Sequence, residues 1–360
     1  VNIALLSYST KPRGGVVHTL ALAEALAAAG QRVTVWTLGR GGDAGFFRPV
    51  EPAVRLRVVP FPDIPGESVG ARVLRSIAVL RAAFAPAAAA YDVVHAQDCI
   101  SANAAGDCVR TVHHIDHFTT PELAACHERA IVTPYAHVCV SAAVAAELEA
   151  GWGIRATVIP NGVAAERFAS ADPAAVREWR RRLGTYVLTV GGIEPRKGSL
   201  DLLEAYALLR GTHPDVRLVI AGGETLFDYR DYRARWEARA AELGAGPVVL
   251  GPVPDAHLPS LVAGADAFAF PSLKEGFGLA AMEALAAGVP LVVRDLPVLR
   301  EVFGPAARFA AGPPALASGL RDALAGDDPG RRTAGRELAA RHTWSAAAER
   351  HIAFYTALAA

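Results

Sequence analysis

Two glutamates, Glu275 and Glu283, stand eight positions apart in PSLKEGFGLAAMEALAAGVP (271–290), across a glycine-rich turn and the start of an alanine-rich helix. In one continuous helix they would be ~12 Å apart and ~80° apart around the axis, poor geometry for a shared acid–base task. If Glu275 instead lies in the loop and the helix begins near Gly278 or Leu279, the amides of Phe277, Gly278 and Leu279 face an anion. Glu275 then reaches to one side of that anion and Glu283, one turn into the helix, to the other. A diphosphate held there would carry a sugar toward Glu275 and a ribose toward Glu283, with hydroxyls donating to each carboxylate. The competing reading makes Glu275 a first-turn dipole partner and Glu283 a solvated helix residue.

A second pair, Arg196 and Lys197, follows the strand-like YVLTVGG and precedes the helical SLDLLEAYALL. A guanidinium supplies a planar fork of donors and an ammonium a compact mobile charge, a combination suited to two linked phosphates. The flanking Gly191, Gly192 and Gly198 favour that role over a solvated surface pair. Near the start of the chain, Gly14 and Gly15 fall where a loop enters a helix, so exposed backbone amides could receive an anion there too. A tight turn that needs glycine is the alternative. The loop lacks G-x-G-x-x-G, no acidic residue closes the next strand, RVTVWTLGR, and no G-x-x-x-x-G-K-[ST] exists, which weakens dehydrogenase and P-loop readings.

These residues must be positioned by short apolar runs that alternate with longer helical ones, the pattern of parallel strands joined by crossover helices. NIALLSY, RVTVWTL, RLRVVPF, DVVHAQ, VRTVHHI and HVCVSA are the strand candidates of the first half; YVLTVGG, VRLVIAGG, PVVLGPV, DAFAFPS and PLVVRD are those of the second. Two doubly wound sheets follow. The turn IPNGV and Pro173 bracket a boundary near 168, giving domains 1–168 and 169–344, with a closing helix over 345–360 able to cross back to the first.

At 360 residues the chain suits two domains. Basic and acidic residues balance at 36 each, so no global charge favours nucleic acid or an anionic surface, and any anion site must be built locally. Cys99, Cys108, Cys126 and Cys139 have no C-x-x-C spacing and read as buried reduced thiols, in keeping with a cytoplasmic location. No signal peptide precedes VNIALLSYS and no run of about twenty uncharged apolar residues marks a span. In ARVLRSIAVLRAAFA, the narrow stripe Val73, Ile77, Leu80 and Phe84 reads as a core-facing helix with solvated Arg72, Arg75 and Arg81, in preference to an interfacial one.

The E-x7-E element EGFGLAAME after PS, together with VGGIEPRKG, resembles the retaining glycosyltransferases of the large family four. The resemblance runs nearly end to end, through GGVVHTLALAEALAAAGQRVTV, VIPNGV, GPVPDAHLPSLVAGADAFAFPS and HTWSAAAERHIAFY. It implies the α/β GT-B architecture, two Rossmann-like doubly wound parallel-sheet domains facing each other across a cleft. The first would be the acceptor side and the second the donor-binding side. By the same resemblance, Arg196 and Lys197 hold the donor diphosphate, Gly14 and Gly15 face it, Glu283 holds the nucleotide ribose, and Glu275 contacts the donor sugar. Gly276, Phe277, Gly278 and Leu279 complete the donor set, and His113 offers its ring to the sugar.

His114 and His117 neighbour His113, but the run lacks the helix and following glutamate of a zinc motif, and the resemblance implies chemistry without a metal or any cofactor. Three histidines that merely line a loop are the bland alternative. Two departures stand out: Ala164 in place of an aspartate common after NGV, and Arg294 in place of a small polar residue, expected at the rim of the cleft. The implied reaction moves a sugar from a nucleoside-diphosphate donor to a hydroxyl acceptor with retention of anomeric configuration. Peripheral membrane contact is open and no nucleic-acid partner is expected. A phosphorylase or synthase of the same architecture and a silent nucleotide-sugar-binding partner are the other readings. The intact Arg196, Lys197, Glu275 and Glu283 argue against the second of these.

Overall fold

The computed structural model describes residues 1–223, 229–326 and 328–359. The chain divides into two units, Val1–Gly162 with Trp344–Ala360, and Val163–Thr343. The division precedes the position near 168 because the short helix Ala165–Ala169 packs on the helices Leu258–Ala263 and Leu279–Ala286 of the second unit.

Unit 1 holds a seven-stranded sheet of β1 (Asn2–Leu6), β2 (Arg32–Arg40), β3 (Arg55–Phe61), β4 (Val93–Ala96), β5 (Val109–Val112), β6 (Ala136–Cys139) and β7 (Thr157–Val158). All pairs are parallel, in the order β3-β2-β1-β4-β5-β6-β7. The period-two alternation of β1 builds both layers. Ile3 and Leu5 face Leu22, Leu26 and the returning helix Trp344–Ala359 through Ala348 and Tyr355. Ala4 and Leu6 face Trp36, Leu38, Phe61, Leu80 and Phe84.

The helix Val69–Phe84 begins where Ser68 Oγ accepts from Ala71 N at 3.1 Å. Its stripe Val73, Ile77, Leu80 and Phe84 is buried as expected. With the following alanine turn, Val69–Ala90 is the one helical run among the described residues long and apolar enough, at mean hydropathy 1.5, to cross a membrane by length and composition. Alanine content rather than a continuous hydrophobic surface gives it that character.

Unit 2 repeats the plan with β8 (Tyr186–Val190), β9 (Arg217–Ala221), β10 (Val248–Gly251), β11 (Ala267–Phe270), β12 (Leu291–Arg294) and β13 (Ala307–Ala310), again all parallel, in the order β10-β9-β8-β11-β12-β13. In both units the strand order reverses at one point, between β1 and β4 and between β8 and β11. Ligands of open parallel sheets sit outside the carboxyl ends of the strands at such points. The edge strands β7 and β13, of two and four residues, are additions to the expected set.

Candidate active site

The carboxyl ends of β8 and β11 bring the two motifs of unit 2 together. After β8 the chain turns through Gly191, at φ 148°, into a single tight turn Pro195–Lys197, and Gly198 at φ 66° starts the helix Ser199–Arg210. Leu273 N donates to Arg196 O at 2.8 Å, tying this turn to the segment that follows β11. Lys197 Nζ then lies 3.2 Å from Glu275 Oε2 and 5.3 Å over the Phe270 ring. Arg196 Nη1 is 3.5 Å from the same Glu275 oxygen and donates to Lys274 O, while Nη2 is 3.5 Å from Glu194 Oε1. Burial lowers the pKa of Lys197, and Arg196 adds to that effect; Glu275 and Glu194 oppose both.

A small pocket beside Lys197 is lined by Gly191, Gly192, Ser199, Phe270 and Ser272 among others. The Ser272 hydroxyl is fully buried there and has no hydrogen-bond partner among the described residues. Glu194 and Ser272 belong to this site although neither stood out in the sequence. Glu194 lies two positions before Arg196 and Ser272 three before Glu275, within IEPRK and PSLKE.

Arg294 corrects an expectation. It is not a rim residue but a buried one, 7% exposed, whose Nε and Nη2 donate to Pro271 O at 3.0 and 2.9 Å. Its Nη2 also meets Asp201 Oδ2 at 2.7 Å and its Nη1 donates to Ala311 O. The guanidinium thus fastens the end of β11 to the helix that carries the Arg196–Lys197 turn. A Cβ at Gly198 would collide with the Pro271 carbonyl oxygen and stand 3.0 Å from Arg294 Nη2, so glycine is required there for space as well as for φ.

The E-x7-E element takes the geometry expected of a loop followed by a helix. The helix is Leu279–Ala286, capped by Gly278 at φ 100° between the Phe270 and Phe303 rings. Phe277 is buried against His342, ring centroids 5.6 Å apart, so only its backbone can meet a ligand. Glu275 Oε1 accepts weakly from Gly276 N at 3.4 Å. Glu283 is half-buried, and burial pushes its carboxyl up to about 8; Arg167 opposes the shift and Asp255 adds to it. Arg167 Nη2 itself donates to Asp255 Oδ2 at 2.8 Å, so its charge is largely spent on that partner.

In unit 1, Gly14 and Gly15 open the helix Gly14–Ala28, and Arg13 at its N-cap makes no capping hydrogen bond from its side chain. A Cβ on Gly15 would touch the His113 ring at 3.8 Å. His113 stacks edge-on against His18, centroids 4.7 Å apart, and burial brings its pKa down to about 3, with His114 contributing. It is a neutral imidazole at physiological pH. The three neighbouring histidines diverge: His114 Nε2 meets Asp116 Oδ2 at 2.9 Å and His117 is exposed. Among the described residues no three His, Cys, Asp or Glu side chains are grouped as metal ligands. His18 is a residue the sequence reading passed over; it is buried, and its Nδ1 lies 2.8 Å from Asn161 Oδ1. Its place on the apolar face of GGVVHTLALAEAL was the available signal.

Two family models match consecutive parts of the chain, one described as Glycosyltransferase Family 4 over residues 12–167 and one as Glycosyl transferases group 1 over residues 178–341. The chain belongs to the group 1 glycosyltransferases, of family-four type with the GT-B fold. The phosphatidyl-myo-inositol mannosyltransferase of Mycolicibacterium smegmatis is 32% identical over 350 residues, 89% of this chain and 82% of that protein. Its Mycobacterium leprae counterpart is 29% identical over 98% of this chain and 95% of its own length. Among solved structures, sucrose-phosphate synthase from Thermosynechococcus elongatus superposes with a TM-score of 0.79 at 22% identity, covering 99% of this chain and 98% of that one. Anabaena HepE in complex with UDP-glucose superposes with a TM-score of 0.76 at 20% identity, covering 99% of each chain. At these identities the structures establish likeness of fold.

Proposed function

We propose that this glycosyltransferase moves a hexosyl group from a nucleoside-diphosphate sugar to a hydroxyl acceptor with retention of anomeric configuration. Unit 2 takes the donor and unit 1 the acceptor. The observation that carries this reading is the convergence of Arg196, Lys197 and Glu275 at the carboxyl ends of β8 and β11, with the amides of Gly276–Leu279 alongside. Arg196 and Lys197 neutralise the diphosphate, the Ser272 hydroxyl and the amides add hydrogen bonds, and Glu283 receives the ribose hydroxyls. Gly14 and Gly15 supply further anion-binding amides. Fixed cations and dipoles of this kind favour the charge that builds on the departing diphosphate, so no metal or other cofactor is needed.

In the reaction the bond between the anomeric carbon and the diphosphate oxygen breaks, and the acceptor oxygen bonds to that carbon on the same face. The acceptor's proton passes to the leaving phosphate. Glu275 orients the sugar by hydrogen bonds. The mannosyltransferase names of the relatives make mannosyl donors the first to assay. Cytoplasmic action is in keeping with such donors.

The test is thermal unfolding of the protein with UDP, GDP, ADP and TDP, followed by turnover with the matching sugar donors in EDTA and NMR of the product anomer. A shift from one nucleotide that Glu283→Ala abolishes, and a product of unchanged anomeric configuration, are expected. No shift from any nucleotide would refute the donor site, and an inverted product would refute retention.

A further inference from the structure

A second cationic feature, unused by the donor reading, lies at the carboxyl ends of the unit 1 strands. Arg40 closes β2, Phe61 closes β3, Tyr8 follows β1, and Gln97 and Asp98 follow β4, so these residues share the sheet edge beside the β1/β4 reversal. Arg40 is 7% exposed, and its guanidinium is stacked 4.6 Å from the Phe61 ring and 5.4 Å from the Tyr8 ring. Its Nε donates to Tyr8 O at 3.0 Å and its Nη2 to Ser76 Oγ at 3.0 Å. Nη1 is buried and has no hydrogen-bond partner among the described residues.

A buried charge is ordinarily paired. Arg40 has no carboxylate within salt-bridge distance among the described residues, because the nearby acids are engaged elsewhere. Glu67 is held in a two-point fork by Arg75 at 2.6 and 2.7 Å. Asp98 accepts from Ser101 N at 2.7 Å and Tyr8 N at 2.9 Å, and Asp43 pairs with Lys11 at 2.9 Å. Two more guanidiniums, Arg72 and Arg75, approach from the helix Val69–Phe84, Arg75 lying 3.8 Å from the centroid of the Phe61 ring. Burial brings the pKa of Arg40 down to about 10, with Arg72 and Arg75 adding to it against Tyr8 and Asp98, so the group remains a cation at neutral pH.

We propose that Arg40, flanked by Arg72 and Arg75, recognises a phosphate group carried by the acceptor. This deepens, and rests on, the reading that unit 1 takes the acceptor. A phosphate suits the arrangement because its tetrahedral oxygens accept from guanidinium forks that approach at different angles. The unspent Nη1 donors are the fixed contact, and Arg72 on the neighbouring helix adds positive charge beside it, while Arg75 is held by Glu67.

The experiment is calorimetric titration of the full chain, in a Lys197→Ala background that weakens phosphate binding in unit 2, with inorganic phosphate, glycerol 3-phosphate and uncharged glycerol. Both phosphates bind and glycerol does not; Arg40→Gln weakens phosphate by about tenfold or more. Arg72→Gln, on the helix flank, weakens it with an unchanged far-UV spectrum, which keeps the test open should Arg40→Gln fail to fold. Absence of phosphate binding, binding indifferent to both substitutions, or glycerol binding as tightly as glycerol 3-phosphate overturns the proposal.

Sedimentation with phosphatidylglycerol and phosphatidylcholine vesicles separates the sources. Arg40-dependent vesicle binding places the phosphate on a lipid, and phosphate binding without vesicle binding places it on a soluble acceptor. Nucleoside-diphosphate binding to the wild-type chain is measured separately. Its failure beside Arg40-dependent phosphate binding would remove the donor reading and leave the anion site standing.

Discussion

Lys197 and Glu275, 78 positions apart, share an ion pair in which the ammonium lies 3.2 Å from the carboxylate and both side chains are mostly covered. One residue therefore sets the charge environment of the other. Glu275→Ala would remove the proposed sugar contact and also the main support for the Lys197 charge against burial. Turnover should fall by on the order of 10²–10³ for Glu275→Ala and for Lys197→Ala, the loss usual for a transition-state contact. Equal wild-type turnover in the purified variants would remove both from the chemistry.

Glu283 gives a pH signature in unit 2. Its carboxyl titrates near 8 in the folded chain against an ordinary value of 4.5, so between those values the folded state keeps a proton that the unfolded chain releases. Stability from this group is full below about 4.5 and is lost as pH rises through about 8. Urea midpoints of the wild type should therefore decline relative to Glu283→Gln from pH 5 to pH 8. Parallel curves would show that the carboxyl is not held protonated.

Arg294→Ala should destabilise unit 2 by about 3 kcal/mol, since it strips Pro271 O and Asp201 of a buried partner. At ~2–4 °C per kcal/mol the unfolding midpoint falls by roughly 6–12 °C. Arg294→Lys restores little, because a lysine cannot bridge the carbonyl and the carboxylate together. Scanning calorimetry of the two variants decides the matter.

The histidines of unit 1 give an acid limb of opposite sign. Burial brings His351 down to about 4 and His113 to about 3, and it lowers His18 as well, against an ordinary 6.5. Their stabilising effect is complete above about 6.5 and is lost as pH falls through those lowered values. Trp344, 5.4 Å from His18, reports the change in its fluorescence, and His351→Leu should flatten the curve below pH 6. An acid limb unaltered in that variant would assign it to other groups.

The strands that position the site were legible because each is a short apolar run bounded by glycine, proline or a polar turn, as in YVLTVGG and DAFAFPS. β7 and β13 escaped notice: two residues carry no periodicity, and ARFA sits among alanines that look the same in helix and strand. The start of the helix at Leu279 was readable from Gly276 and Gly278. The burial of Arg294 and of Arg40 was not, because an arginine's surroundings are built by residues distant in the chain. Pro271 O, Asp201 and Ala311 enclose the first, while Tyr8, Phe61 and Ser76 enclose the second. The three histidines of VRTVHHIDHF were equally opaque, since spacing alone could not foretell that their rings part company.

The helix Trp344–Ala359 belongs to unit 1, yet residues 163–343 precede it in the chain. On the ribosome, Ile3, Leu5 and Leu22 emerge early and must wait for Ala348 and Tyr355 to cover them. At ~5–20 residues per second that interval is roughly fifteen to seventy seconds. Unit 2, continuous in sequence, can complete its core first. The half of the molecule made earliest is thus the last to mature, and during that delay its nascent surface is what a chaperone would encounter.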